Sequence, residues 1–213
     1  MNFRLFSYII RSDSGCAPNP FWGYCTLACC KPKIRKVAKP GDWVVALSSK
    51  AKEPPHYKIV YAMQVEKTLS LSDYFNSPQF AKKKPDMTAK NLKYRVGDNF
   101  YERRRGGKWE QHPSMHSKYD KEKGVYSDNP EAKKTDLGGE NVLISKNFYY
   151  FGSRAIPLPE SLGFLKIGIG HRSRFTDEQI KKFLKFIKMQ KRGIHAKPTK
   201  WREDDNSWKQ GCK

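Results

Sequence analysis

The chain has 213 residues, 38% hydrophobic and 13% aromatic, with 42 Lys and Arg against 21 Asp and Glu, a formal net charge of +21. That composition can bury a core and excludes a disordered basic tail. No run approaches the about 18 apolar residues of a membrane span, and an odd number of cysteines, five, argues against a disulfide framework. A soluble, cytoplasmic basic protein is the expectation. The excess charge repels itself in a compact state and is relieved by a polyanion, with nucleic acid first and a nucleotide second. Basic composition for solubility alone is the plainer alternative. Residues 1–80 carry net +6, 81–134 net +7 and 166–213 net +9, and only 135–165 is near balance at −1.

Phe3 to Arg11 mixes alternation with aromatic and β-branched residues and reads as a core strand, not a signal peptide. It ends in the turn cluster Ser12-Asp13-Ser14-Gly15. Pro18 and Pro20 make Cys16 to Tyr24 a loop. Thr26 to Lys39 reads as a short helix or turn ending at Pro32, then a basic connection. Asp42 to Leu47 and Tyr57 to Val65 read as buried strands, the second after a Pro54-Pro55 turn, and Ser72 to Asn76 as a short helix capped by Ser72. Gln79 to Thr135 is polar and reads as an inserted lobe, with short strands at Tyr94 to Tyr101 and Lys108 to Gln111 and a hairpin tip near Gly106-Gly107. Asn141 to Phe151 returns to the core. Thr176 to Lys191 is a helix with a Thr176/Gln179 capping box, an apolar face of Ile180, Phe183, Leu184 and Ile187, and a stop at Gly193. The tail from 194 onward, with Trp201 and Trp208, has no periodicity.

Four constellations carry chemistry, each with a plainer reading beside it. Arg11, Asp13, Asn19, Phe21, Trp22, Tyr24 and Thr26 form a base-pocket candidate, since flat rings stack on a base while Asn and Asp read its edge. The same residues also suit an Ω-loop packed on its own rings. Cys25-x3-Cys29 with Cys30, and His112-x3-His116, have ligand-like spacing, and His56 and His171 are further ligand candidates. There is no second Cys pair, so no metal or other cofactor is expected and buried thiols are the simpler state. Cys30 is a nucleophile candidate because Lys31 follows it. Gly168-Ile169-Gly170-His171-Arg172-Ser173-Arg174 leads toward the basic helix, where Gly and Arg suit an anion or an ordinary connection. It is neither a P-loop nor a dinucleotide fingerprint. Lys181, Lys185, Lys188 and Arg192 mark a lysine face that is equally a solvated helix surface. Lys31, Arg35, His171, Arg172 and Arg174 complete the phosphate-binding candidates. Signatures of serine hydrolases, zinc proteases and deaminases are absent.

The stretches Leu5 to Arg11, Asp13-x-Gly15, Ala17 to Phe21, Gly23 to Leu27, Cys30-Lys31-Pro32-x-Ile34-Arg35 and Gly41 to Val44 resemble the second nucleotide-modification-associated domain family. These are bacterial and phage domains associated with DNA base modification. Gly170-His171-Arg172 before the Thr176-capped helix resembles the same family's C-terminal part. The likeness spans about residues 3–75 and 140–190, and 79–135 does not align. Pro40 to Val45 also resembles the strand entry of PUA-like domains, including the EVE, ASCH and YTH groups, which implies a curved small barrel with an aromatic pocket for a modified base.

The expectation is therefore an α+β fold: a curved, partly closed mixed sheet, PUA-like, with flanking helices. It forms one domain over 1–193, with 79–135 a basic insertion and 194–213 a loose basic tail. Its expected partners are DNA with modified bases, a nucleotide, or proteins of a modification or defence system, and no membrane. The rival reading is an enzyme acting on a nucleotide or modified base, using Asp13 with Cys25 or Cys30.

Overall fold

The computed structural model describes residues 3–49, 57–166, 168 and 170–204. Pro54, Pro55, His56, Ile169 and Trp208 lie outside the described residues. In chain order the strands and helices begin with β1 (Leu5–Ile9), β2 (Cys25–Leu27), α1 (Pro32–Val37), β3 (Trp43–Ser49), β4 (Tyr57–Gln64), β5 (Lys67–Ser70) and α2 (Leu71–Asn76). They continue with α3 (Leu92–Arg95), β6 (Tyr101–Arg103), β7 (Trp109–Gln111), β8 (Lys118–Asp120), β9 (Val125–Ser127) and α4 (Pro130–Leu137). The last are β10 (Asn141–Ser145), β11 (Phe148–Tyr150), β12 (Ile156–Pro157), β13 (His171–Arg172), α5 (Asp177–Lys188) and β14 (Gly193–Ile194). The class is mixed α+β, as composition and pattern predict. No helix among the described residues is long and apolar enough to cross a membrane.

Two compact units divide the chain. The first comprises Met1–Ser14, Ala38–Lys67 and Ser145–Asp205, the second Gly15–Val37, Thr68–Ile144 and Asn206–Lys213.

The first unit is built on a sheet of order β13-β1-β3-β4-β11-β14, with β12 added to β4. β1 and β3 run parallel, and β4 is antiparallel to both β3 and β11. Leu5, Phe6, Ser7 and Tyr8 are all buried, as are Trp43 to Leu47, so the two apolar runs form strands covered on both faces. The described order ends in two edge strands, so the expected barrel does not close. The sheet is mixed, and the PUA-like closure is not formed among the described residues.

α5 packs Ile180, Phe183 and Ile187 into this core, with the Phe183 ring 5.7 Å from that of Trp43. Its Thr176/Gln179 capping box forms as the sequence predicts. The helix stops at Lys188, however, and Gly193 (φ 95°) lies on β14 opposite Tyr149, a strand position rather than the helix stop.

The second unit holds a sheet of order β2-β10-β5 and the hairpins β6–β7 and β8–β9. Ala28, Leu71, Tyr74, Phe80, Val142 and Ile144 form its core. Phe80, Val96, Phe100 and Tyr101, all from residues 79–135, are buried in this unit. Three local expectations change. Pro32 begins α1 instead of ending a helix, because the first helical position needs no N–H. The α2 cap is Ser70, which accepts from the Asp73 N–H. Tyr94 sits on the short helix α3, not on a strand.

Candidate functional site

The aromatic loop of the second unit is closed by Asn19 and Thr26, whose backbones exchange hydrogen bonds of 2.8 and 2.9 Å. At its tip Trp22 (φ 62°) and Gly23 (φ 79°) are both left-handed. A bulky residue at positive φ is strained and marks a position where the side chain's direction matters.

Under the loop lies a sealed polar cage. Lys83 Nζ donates to Asn19 Oδ1 (2.7 Å), Asn19 O (2.9 Å), Tyr24 O (2.8 Å) and Thr26 Oγ1 (3.1 Å). Asn19 Nδ2 donates to Gly15 O (3.0 Å) and Val96 O (2.9 Å). Asp98 accepts from Thr26 Oγ1 and Tyr74 Oη, each at 2.7 Å. Burial pushes the Lys83 ammonium down to about 8, against the pull of the Asp98 carboxylate. Burial also raises the Asp98 carboxyl, and Lys83 opposes that rise.

Asn19, Phe21 and Thr26 are fully buried, so their groups hold the loop in place and leave no edge for a base. Tyr24 is half-buried, with its ring 5.4 Å from that of Phe80 and its hydroxyl accepting from Gln79.

The tip of the loop is different. The Trp22 ring lies 4.9 Å from that of Tyr94, which is 45% exposed. Lys93 Nζ, on a buried side chain, stands 4.2 Å and Lys82 Nζ 5.7 Å from the Trp22 ring centre, both within cation–π reach. Trp22 Nε1 and Arg95 Nε are buried donors without a hydrogen-bond partner among the described residues. Lys84 follows with its Nζ 3.7 Å from the centre of the Phe75 ring, which stacks on His112 at 5.1 Å. Phe75, Lys84, Asn99 and His112 line an open cleft of 520 Å³, a size that suits a nucleotide.

Three consecutive lysines thus take three directions: Lys82 to the indole, Lys83 inward, Lys84 to the cleft. The sequence reading passed over them as part of a polar lobe. The run before Pro85 was the one visible signal.

The other candidates fall elsewhere. Arg11 and Asp13 belong to the first unit. Arg11 is exposed, whereas Asp13 is buried and accepts from Tyr150 Oη (2.5 Å), Thr199 N (3.0 Å) and Thr199 Oγ1 (3.1 Å). Its carboxylate is committed to fastening the chain near Thr199, which replaces the expected base-reading or catalytic position. Residues 194–204 are correspondingly docked, with Trp201 Nε1 donating to Ser14 O at 2.8 Å.

His171 pairs with Tyr8 across β13 and β1, and Arg172 and Arg174 are exposed. Arg172 turns back on Phe164 O and Arg174 O. The start of α5 carries its own cap with Asp177 and Glu178, an acidic turn that disfavours an anion there.

In the second unit Lys31 is half-buried at φ 42°. Arg35 is fully buried and donates to the backbone carbonyls of Cys30, Asp136, Gly139 and Asn141. Burial with all three guanidinium nitrogens engaged removes Arg35 from the phosphate set.

The cysteines regroup as well. Cys25 is buried on β2, and His112 Nε2 lies 2.7 Å from Glu102. Cys16 Sγ is 3.7 Å from Cys29 Sγ, and Cys30 Sγ is 3.7 Å from His116 Nε2. His116 Nδ1 lies 2.6 Å from Asp136 Oδ2. Burial alone would lower the His116 imidazole, but hydrogen bonds to Asp136 and Cys30 raise it to about 10. Among the described residues three groups could hold a metal: Cys16, Cys29 and His116; Cys30, His116 and Asp136; and Glu102, Glu110 and His112.

No curated protein and no solved structure matches the chain. The family model described as nucleotide modification associated domain 2 matches residues 2–205, nearly the whole sequence and both units. The N-terminal motifs and the Gly170-His171-Arg172 stretch both fall inside that match, and the chain belongs to the nucleotide modification associated domain 2 family.

Proposed function

We propose that this chain is a nucleic-acid-binding module of a nucleotide-modification system, acting on DNA that carries a modified or flipped-out base. The base stacks on Trp22 and Tyr94 or enters the cleft between Lys84 and His112. Lys82 and Lys84 meet the flanking phosphates, with Lys31 as a further proposed phosphate contact. The carrying observation is the Trp22 indole, held in a left-handed conformation, faced by two lysine ammoniums, with its N–H unpartnered among the described residues, as is Arg95 Nε on α3. Two orphan donors and a π-face call for a ligand with acceptor oxygens and a flat ring, and nucleotides have both. The alternative, an enzyme acting on a nucleotide or modified base, rests on Cys30 beside His116, since the Asp13 carboxylate is taken up by Tyr150 and Thr199.

The test is a titration of the full chain against short oligonucleotides, single- and double-stranded. They are unmodified or carry hydroxymethyl or glycosylated pyrimidines, at two salt concentrations. Preference for one modified form with the base unchanged supports the module. An altered base would indicate turnover instead. Equal, salt-labile binding to every oligonucleotide would remove the pocket and leave only the net charge.

A further inference from the structure

Cys16, Cys29 and His116 place their ligand atoms all within 4.8 Å of one another. Cys30 closes the group: its thiol hydrogen-bonds Cys29 and lies 3.7 Å from His116 Nε2. The spacings that drew attention in the sequence, Cys25 with Cys29 and His112 with His116, contribute one member each. Cys16 arrives from the preceding loop and His116 from the segment after β7. A tetrahedron with zinc–sulfur bonds of about 2.3 Å and zinc–nitrogen bonds of about 2.0–2.1 Å has edges of about 3.5–3.8 Å. Two of the six edges, Cys16–Cys29 and Cys30–His116, are 3.7 Å.

We infer that Cys16, Cys29, Cys30 and His116 form a structural zinc site, which replaces the sequence expectation of no metal. The surroundings supply what such a site needs. Asp136 takes the Nδ1 side of His116, which leaves Nε2 facing the thiols, the arrangement that orients a zinc-bound imidazole. Asp136 is itself fixed by the Cys30 N–H (2.6 Å) and Tyr101 Oη (2.9 Å).

Charge agrees. Three thiolates on a divalent ion leave one negative charge, and Asp136 adds another. Arg35 is a fully buried cation with carbonyl partners, and the groups acting on it are Cys29, Asp136, Cys30 and Asp98. A buried guanidinium needs counter-charge. Thiolates held by a metal would add to what Asp136 and Asp98 provide. Soft sulfur ligands with one imidazole in a closed set select zinc. The ion would join the Cys16 loop, the turn before α1 and the segment after β7, three parts of the second unit.

The experiment is elemental analysis of the intact purified chain, followed by cobalt substitution. The expected result is about one zinc per chain, retained through dialysis and released when a mercurial caps the thiols. Cobalt should then give the visible bands of a tetrahedral thiolate site and sulfur-to-metal charge transfer. Asp136→Asn should keep the ligands and lower zinc affinity by about 10–100-fold. Because Cys16→Ser and Cys29→Ser also alter buried positions, the wild-type cobalt spectrum is the decisive measurement. Metal-free protein that gives no cobalt spectrum overturns the site. Rapid alkylation of Cys30 alone in metal-free protein would overturn it in favour of a thiolate–imidazolium pair.

Discussion

Lys83 Nζ lies 2.7 Å from Asn19 Oδ1, and both residues are sealed from solvent. The ammonium also serves Asn19 O, Tyr24 O and Thr26 Oγ1, so it holds both ends of the aromatic loop. Lys83→Met leaves those acceptors without their donor and should destabilise the second unit by about 3 kcal/mol in urea unfolding at neutral pH.

The same lysine gives a pH signature. Burial holds its ammonium down to about 8, against roughly 10.4 for an exposed lysine. The folded state thus binds this proton more weakly than the unfolded chain. The cost is fully present below about 8 and is relieved as the pH rises from there to roughly 10.4. Asp98 and Lys93 face the same group, the first favouring its charge and the second opposing it. The unfolding free energy of wild type minus that of Lys83→Met should climb across this window. A flat difference would contradict the burial.

Trp22 separates backbone from ring. Its φ of 62° suits glycine and strains any residue with a Cβ. Trp22→Gly should be more stable than Trp22→Ala by about 1 kcal/mol. Both should lose about 1–3 kcal/mol of oligonucleotide affinity, since both lack the indole. Lys82→Gln should instead shorten the salt slope by about one unit at every sequence.

Asp13 fastens the chain near Thr199 to the first unit. Asp13→Ala should cost about 2–3 kcal/mol and open residues 197–204 to proteolysis and hydrogen exchange. Unchanged protection there would return Asp13 to the list of ligand-facing residues.

Gly97 admits no side chain. A Cβ there would stand 2.1 Å from Lys83 O and 2.7 Å from Pro85 N, both backbone atoms. Gly97→Ala should cost more than the roughly 1–3 kcal/mol of ordinary overpacking. Gly163→Ala, with nothing within 4 Å of its Cβ, should stay within about 0.5 kcal/mol of wild type.

The elements that could be read from the sequence were those whose pattern is local. The apolar runs at Leu5 and Trp43 announce strands because burial on both faces needs no alternation, and the Thr176 box announces α5. Trp22 was legible as an aromatic in a Pro-rich loop, though not its partners Tyr94 and Lys93, which come from a segment with no apolar period. Asp13, Asn19 and Arg35 look ligand-facing in sequence because their chemistry suits a base or a phosphate. The same hydrogen bonds serve internal carbonyls and amides, and residue type cannot tell the two apart. Cys16 and His116 meet only through tertiary placement, so no spacing motif joined them.

The first unit is assembled from three pieces of chain, with Asp13 near one end bonded to Thr199 near the other. The described part of the second unit is complete by Ile144. A ribosome therefore releases everything the described second unit requires while β13 and α5, which flank the β1–β3 pair and its core, are still unmade. Units fold as they become complete, so the second unit should form first during synthesis. The first unit would wait, with β1 able to meet only β3, until β11, α5 and Thr199 emerge. Nascent chains halted once residue 150 has left the ribosome should already protect the second unit from protease and leave the first unit open to it.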